Sequence, residues 1–366
     1  MIFVRVENRM YVSSSSRYIG LDLFRVVAIY GVVLYHFYSI AGSHPSLHWL
    51  IRLRDCTFPF FVISSFFVLT ISFERNQERS FREFFLRRFL RIWIPFIIWT
   101  VLYLGFWNVF APLIRREPIN WHSSLAMLLS GYSHLWFLQF IFIGSLLLFP
   151  LLRFFTRNKQ FYWQFSLLCF TTGLLLMFFL RPLLIDHINC GWLPQLDGNL
   201  RGFIERTINY LPYIPLAIGI GLLADEIVAL YRRRLFRTLT LLAVAVWMCI
   251  YLGIPAIPFN REVYSLVVFV ALLRPLAKFS FRSLCTIAEY SYAIYILHMW
   301  ILLITVSVLY RAGIGKTAGI VITGSIIIFG LSLLISALLR KLFPWDWFLP
   351  SIPINCGNQH SMELRH

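Results

Sequence analysis

Long apolar runs alternate with short polar connections along almost the whole chain. Each run is close to the length of about 20 residues that a helix needs to cross a bilayer. One transmembrane helix is predicted for each of the segments 21–41, 56–73, 92–113, 134–152, 162–181, 208–224, 238–254, 262–276, 287–309 and 319–338. The pattern therefore predicts an all-α, polytopic membrane helix bundle with about ten transmembrane helices.

The composition agrees with a membrane protein and argues against several other classes. Of the 366 residues, 59% are hydrophobic and only 13% are charged, a balance that soluble domains rarely have. The net charge of +17 first suggests a nucleic acid as partner, but the basic residues form short clusters between apolar runs and no continuous basic face. The six cysteines lack metal-type spacing, and no zinc-protease, phosphate-loop or serine-hydrolase motif occurs. We therefore expect the lipid bilayer as a partner, and neither nucleic acid nor a metal.

The distribution of lysine and arginine predicts the orientation in the membrane. With the N-terminus inside, 22 of the 33 basic residues fall in inner connections and ten in outer ones. Cytoplasmic loops of membrane proteins carry such an excess, so both termini are expected in the cytoplasm. The predicted divisions are a cytoplasmic lead-in over residues 1–17, a membrane domain over 18–340 and a cytoplasmic tail over 341–366. The polar start predicts no signal peptide, and the sequence leaves an oligomer open.

The first apolar segment carries three ionisable residues that we take as candidate catalytic residues. Arg25 and His36 are eleven positions apart, which brings them within about 20° of one helix face with a rise of about 16 Å. Asp22 lies on nearly the same stripe, and its spacing favours an ion pair with Arg25. Ionisable groups inside a membrane are costly and point to a functional site. We expect Arg25 to hold an anionic donor near one surface and His36 to meet the reacting group deeper in. The alternative for His36 is a buried histidine bonded to a neighbouring helix.

This segment, LDLFRVVAIYGVVLYH, resembles the opening helix of the acyltransferase-3 family of integral membrane O-acyltransferases. The family's basic residue and histidine, separated by ten positions, fall on Arg25 and His36. Its Arg-x-x-Arg pattern falls on Arg88 and Arg91, and the stretches HLWFL and SYAIYILH, the second ending at His298, also agree. The resemblance runs in order over nearly the whole chain and corresponds to the stand-alone form, without a fused extracytoplasmic domain.

The resemblance implies an O-acetyltransferase-like enzyme of a bacterial-type cytoplasmic (inner) membrane. The donor would be acetyl-CoA or another acyl-CoA inside the cell, and the acceptor a hydroxyl of a sugar, a lipid-linked glycan or an exported polysaccharide at the outer face. Arg25, Arg88, Arg91 and the adjacent Arg87 would bind the phosphates of CoA, because guanidinium groups pair well with phosphate. Any cytoplasmic connection carries arginines, however, so Arg87, Arg88 and Arg91 could equally set topology alone. His36 would act as general base or as a transient acyl carrier, and the sequence does not separate these roles.

Five further residues are predicted to line the substrate. His298, Tyr295 and Ser291 form a polar stripe on an apolar helix, which could line the acceptor tunnel, orient the acyl group or only bond helices together. His134 and Trp136 begin the fourth segment at the outer surface, where Trp136 is either an interfacial anchor or a platform for a sugar.

A different class of function stays open on the sequence alone. A transporter or flippase for an anionic or glycolipid substrate could use the same polar stripe during alternating access. Paired broken helices or an inverted repeat would favour that alternative.

Overall fold

The computed structural model describes residues 18–41, 44–75, 80–110, 112, 121–187, 198–254, 259–274, 282–314 and 317–342. Within these ranges the chain is helical apart from short turns, and no strand occurs. The predicted all-α membrane bundle is thereby confirmed. The predicted lead-in and nearly all of the predicted tail lie outside the described residues.

The helices of the described ranges are numbered in chain order. They are α1 Ile19–Ala41, α2 His48–Leu53, α3 Thr57–Arg75, α4 Phe81–Arg88, α5 Ile94–Leu104, α6 Trp121–Ser130, α7 Trp136–Leu147, α8 Phe149–Arg157, α9 Tyr162–Leu175, α10 Arg181–His187, α11 Gly198–Tyr210, α12 Tyr213–Leu222, α13 Ala224–Leu230, α14 Arg234–Gly253, α15 Asn260–Leu272, α16 Arg282–Glu289, α17 Ser291–Arg311 and α18 Ala318–Leu342.

The number of spans is close to the predicted one. In the described part of the chain, seven helical stretches are long and apolar enough to cross a membrane, and two bent helix pairs raise the number to nine. The bent pairs are α7 with α8, at 51°, and the stretch from α11 to α12 with α13, at 66°. The predicted segment 262–276 forms α15, whose 13 residues are fewer than a full span requires. The prediction of about ten is therefore approximate.

Proline explains two of the irregular places. Pro150 stands in the first turn of α8, where a missing N–H is tolerated, and the chain bends just before it. Pro95 stands in the first turn of α5, directly after a π-helical turn over Phe89–Trp93. The proline ring cannot donate to the carbonyl four residues earlier, that of Arg91, so the regular α-helical ladder is interrupted there.

The buried core surrounds α3, most of which lies inside the protein, whereas almost all of α14 faces outward. α3 packs against α1, α12 and α15. α1 also packs against α16, α17 and α18, so several helices surround it. Following the predicted orientation, we call the end where α1 finishes, at Ala41, the outer end, and the end where it starts, at Ile19, the inner end.

Contact between α1 and α18 is close next to His36. A Cβ atom on Gly324 would lie 2.5 Å from an edge carbon of the fully buried Phe37 ring, so glycine is needed at this crossing. Two turns before Phe37 on α1, the hydroxyl of Tyr30 lies 3.1 Å from that of Ser325, the residue after Gly324, and the two form a hydrogen bond. These contacts fix the outer half of α1, which carries His36, against the bundle.

Candidate active site

Three histidines from distant parts of the chain meet near the outer end of the bundle. His36 comes from α1, His134 from the short turn before α7, and His298 from α17. The ring centroids are 5.3 Å apart for His36 and His298, 4.9 Å for His134 and His298, and 6.3 Å for His36 and His134. His134 and His298 are buried and His36 is half-buried. We call these three residues the histidine cluster.

The hydrogen bonds of His298 determine which nitrogen of its neutral ring carries the hydrogen. Its Nδ1 atom lies 2.7 Å from the carbonyl oxygen of Tyr295 and 3.2 Å from that of Ile294. Because a carbonyl oxygen only accepts, Nδ1 carries the hydrogen, and Nε2 of the neutral ring is then an acceptor. This Nε2 atom is buried and has no hydrogen-bond partner among the described residues. A buried acceptor without a partner is costly, which makes it suited to receiving a substrate group or a second imidazole.

Two tyrosines frame the histidine cluster. The hydroxyl of Tyr295 donates to the carbonyl oxygen of His134, and so ties α17 to the turn before α7. The hydroxyl of Tyr103, on α5, donates to the carbonyl oxygen of Ile296 at 2.7 Å, and its ring lies edge-on to His134 at 5.4 Å. Neither ring nitrogen of His134 reaches a partner with hydrogen-bond geometry in the described ranges. The backbone around the cluster is therefore fixed, while Nε2 of His298 remains available for a ligand.

Aromatic and cationic side chains border the cluster on its outer side. The ring of Tyr35 lies 5.5 Å from that of His36, and the Arg54 guanidinium sits over Tyr35 at 3.8 Å. The Arg206 guanidinium sits over the Trp136 ring at 5.3 Å. The charges of Arg54 and Arg206 also act on the His36 imidazole.

Arg25 and Asp22 form the ion pair that their spacing predicts. The Nη1 atom of Arg25 lies 2.7 Å from Oδ1 of Asp22, and the side chains are 12% and 5% exposed. Because α1 is continuous from Ile19 to Ala41, the rise from Arg25 to His36 is about 16 Å. The pair thus lies toward the inner end and does not contact the histidine cluster.

The predicted CoA-binding arginines also lie toward the inner end. Arg88 ends α4, is half-buried and covers the Phe84 ring at 5.5 Å. Arg91 is exposed and lies within the π-helical turn that follows, and Arg87 is exposed on α4. The helical stretch that carries all three begins at Phe81, eleven residues before the predicted start of this span at residue 92. The three arginines are therefore part of a helix and do not lie in the connection that precedes the predicted span.

Of the remaining predicted residues, Tyr295 contacts the histidine cluster, whereas Ser291 and Trp136 are buried away from it. Tyr295 contacts His134 and belongs to the cluster's frame, whereas Ser291 is buried two helical turns away from His298. Trp136 is only 4% exposed and packs against Phe58 at 5.2 Å and Tyr210 at 5.7 Å, so it lies within the protein and is no interfacial anchor.

Sequence reasoning missed several residues at this site. Those that border the histidine cluster, or that contact Tyr35 or Trp136, include Tyr35, Tyr103, Tyr210, Arg54 and Arg206. Tyr103 and Tyr210 carry no motif that would have marked them. The two arginines had one signal, because they lie at the predicted outer end, where positive charge is expected to be scarce.

In the described ranges, no group of three or more histidine, cysteine, aspartate or glutamate side chains is placed to hold a metal ion.

Comparison with known proteins gives one match. A family model described as "Acyltransferase domain", that of the acyltransferase-3 family, matches residues 18–341. No curated protein and no solved structure is significantly similar to the chain.

Proposed function

Because the chain belongs to the acyltransferase-3 family and is a membrane acyltransferase, we propose that it moves an acyl group from cytoplasmic acyl-CoA to a sugar hydroxyl at the outer face. An acetyl group is the proposed cargo, and a lipid-linked glycan or exported polysaccharide of the cell envelope is the proposed acceptor. The proposed location is a bacterial-type inner membrane, with CoA and the acceptor approaching from opposite ends of α1.

The observation that supports this proposal is the meeting of His36, His134 and His298 at one end of the bundle. Acyl transfer to a hydroxyl needs a base, and imidazole is the side chain best suited to that role near neutral pH. His36 is the only member of the cluster that is half-buried and bordered by Tyr35 and Arg54, so it is the one an acceptor would reach first.

In the proposed reaction the acceptor hydroxyl oxygen attacks the thioester carbonyl carbon. A ring nitrogen of His36 takes the hydroxyl proton, the carbon–sulfur bond breaks, and the proton passes to the CoA thiolate that leaves. The unpartnered Nε2 of His298 accepts a hydrogen bond from the His36 ring or from the hydroxyl, and so orients the pair. A transient acyl group on His36 would use the same geometry in two steps.

Arginine side chains form the proposed binding site for the donor, acyl-CoA. Arg25 remains held by Asp22, so its guanidinium has a fixed direction, and Arg88 and Arg91 add two further cations toward the inner end. CoA carries a pyrophosphate and a 3′-phosphate, which guanidinium groups bind bidentately. The long pantetheine arm would then carry the thioester along α1 toward His36.

A transporter would share one feature of this fold, the two bent spans. Both bent spans also carry or adjoin residues of the candidate active site. The stretch from α11 to α13 supplies Arg206 and Tyr210 at its outer end, and α7 begins directly after His134. Family membership therefore decides for acyl transfer.

The experiment uses inverted membrane vesicles from a bacterial host that expresses the full chain. Radiolabelled acetyl-CoA is supplied at the exposed cytoplasmic face, and the label is followed into envelope glycans inside the vesicles. We expect labelled glycan only in vesicles that contain the chain, and not in vesicles lacking it. Uptake of glycolipid without transfer of label would favour the transporter and contradict the proposal.

A further inference from the structure

Two arginines stand beside the proposed catalytic histidine at the outer end, where no CoA phosphate is expected. We call Arg54 and Arg206 the outer arginine pair. Arg54 lies over the ring of Tyr35, next to His36 in the chain, and Arg206 lies over the ring of Trp136, two positions after His134. Both act electrostatically on the His36 imidazole. Their positive charge therefore lies where the acceptor, and not the donor, would bind.

The positive charge of Arg206 is less neutralised by nearby carboxylates than that of Arg54. Its Nε donates to the carbonyl oxygen of Gly202 at 2.8 Å, which holds the side chain in place. The charge of Glu205 acts on Arg206, but this carboxylate is paired with Arg201 at 2.9 Å, so Arg206 is only partly neutralised. A half-buried cation that is only partly neutralised is costly, and a ligand of opposite charge would stabilise it.

Other arginines at the outer end differ from Arg206 in this respect. Arg201, on the same helix, pairs with Glu205 at 2.9 Å. Arg181 and Arg261 share Glu262 at 2.7 and 2.9 Å. These arginines are tied into the structure of the bundle, whereas the Nη atoms of Arg206 are left for a ligand.

Arg54 is only partly neutralised. Its Nη2 atom lies 3.1 Å from Oδ1 of Asp55, and its buried Nε has no hydrogen-bond partner in the described ranges. Arg54, Arg206 and Asp55 together carry two positive charges and one negative charge. The region beside His36 thus has an excess of positive charge.

Three aromatic rings beside Arg206 form what we call the aromatic wall. Phe58, Trp136 and Tyr210 contact one another with ring centroids 4.7 to 5.7 Å apart, and Phe58 and Tyr210 are half-buried whereas Trp136 is buried. Aromatic faces pack well against the apolar C–H face of a sugar ring, while adjacent guanidinium groups bind carboxylate or phosphate. A wall of this kind suits an anionic sugar better than a neutral one.

We propose that the outer arginine pair binds a carboxylate or phosphate on the acceptor, so that the substrate is an acidic glycan whose hydroxyl is positioned at His36. This inference rests on the proposed acyl transfer. Arg206 binds the oxyanion through its free Nη atoms, Arg54 adds a second contact, and the aromatic wall supports the sugar ring. The outer arginine pair thereby selects the acceptor and leaves the chemistry to the histidine cluster.

The experiment measures binding of two matched probe pairs to the purified full chain in lipid nanodiscs, without acyl-CoA. One pair is trigalacturonate and its neutral methyl ester, and the other is a mannose oligosaccharide with and without a terminal phosphate. The first pair tests a carboxylate, and the second tests a phosphate. Variants are Arg206→Gln, Arg206→Lys and the control Arg201→Gln, which alters a paired arginine on the same helix.

We expect at least one anionic probe to bind roughly tenfold more tightly than its neutral partner, as a hydrogen bond to a charged group provides. Arg206→Gln should abolish that preference, Arg206→Lys should keep part of it, and Arg201→Gln should keep all of it. Equal binding within both pairs, including no binding at all, would overturn the proposal, and so would a preference that survives in Arg206→Gln. Failure of acyl transfer itself is detected separately in the vesicle assay, because the binding measurement needs no reaction.

Discussion

The imidazole ring of His298 lies 5.3 Å from that of His36, although the two residues belong to different helices, α17 and α1. The backbone carbonyl oxygen of Tyr295 fixes which nitrogen of His298 carries the hydrogen. The remaining nitrogen, Nε2, is therefore a buried acceptor close to the proposed base. This relationship gives His298 a positioning role that can be separated from simple packing.

Amide substitutions test that role, because the asparagine amide nitrogen can replace the donor Nδ1, whereas the glutamine amide oxygen can replace the acceptor Nε2. His298→Asn keeps a donor for the carbonyl groups of Tyr295 and Ile294 but removes the acceptor at Nε2. We expect it to fold normally and to lose acyl transfer by roughly tenfold or more, since one oriented hydrogen bond to the reacting groups is lost.

His298→Gln is the companion variant. It keeps a polar atom near the Nε2 position and is expected to retain more activity than His298→Asn, while unfolding at a lower temperature. The measurements are initial rates of label transfer and thermal unfolding. The opposite order of activities would assign His298 to structure alone.

The ion pair between Arg25 and Asp22 predicts a non-additive effect on stability. Asp22→Asn leaves a largely buried guanidinium without its carboxylate, and breaking such a pair costs about 3–5 kcal/mol in buried sites. The double variant Asp22→Asn/Arg25→Gln should be less destabilised than Asp22→Asn alone. Thermal unfolding of the purified protein checks this, and simple additivity of the two single effects would argue against a coupled pair.

The proposed CoA site predicts a contrast between arginines of one helical stretch. Arg88→Ala with Arg91→Ala should raise the KM for acetyl-CoA by roughly tenfold or more, because charge-assisted contacts to phosphate are removed. The control is Arg82→Ala, which removes an exposed arginine from the same helical stretch, on α4. A KM that rises equally in the control would mean that these residues only set the orientation of the chain.

Two glycines of α18 provide a matched test of how α1 is held. A methyl group on Gly324 would meet the ring of Phe37, next to His36, whereas a methyl group on Gly330 would meet open space. Gly324→Ala should destabilise the protein by about 1–3 kcal/mol through overpacking and reduce acyl transfer. Gly330→Ala should be neutral or slightly stabilising, because alanine favours the helix. Thermal unfolding of both variants checks the difference, and equal behaviour would contradict the close crossing of α1 and α18.

Features contained within one helix were the ones that the sequence could predict. The common stripe of Asp22 and Arg25 and their ion pair follow from helical spacing, as does the membrane bundle from apolar run length. The bend at Leu148 was missed, because hydrophobicity alone does not mark where an apolar run stops being helical.

The assembly of the site could not be predicted in the same way. His134 and His298 were singled out on separate segments, and their contact depends on how α17 packs against the turn before α7. Arg54 and Arg206 were assigned only to outer connections, since nothing local to either residue shows that both approach His36. Long-range packing, which spacing does not encode, brings these groups together.

The central claim, that His36 performs the chemistry, is tested most directly by the rate of label transfer from acetyl-CoA to envelope glycans in His36→Ala. The control is His44→Ala, because His44 is a histidine at the same end that bonds only to the exposed Ser46 among the described residues. General base catalysis accounts for about 10²–10⁴-fold in rate, so His36→Ala should lose at least about 100-fold while CoA binding and thermal unfolding stay unchanged. A folded His36→Ala protein that transfers label as fast as His44→Ala would contradict the account.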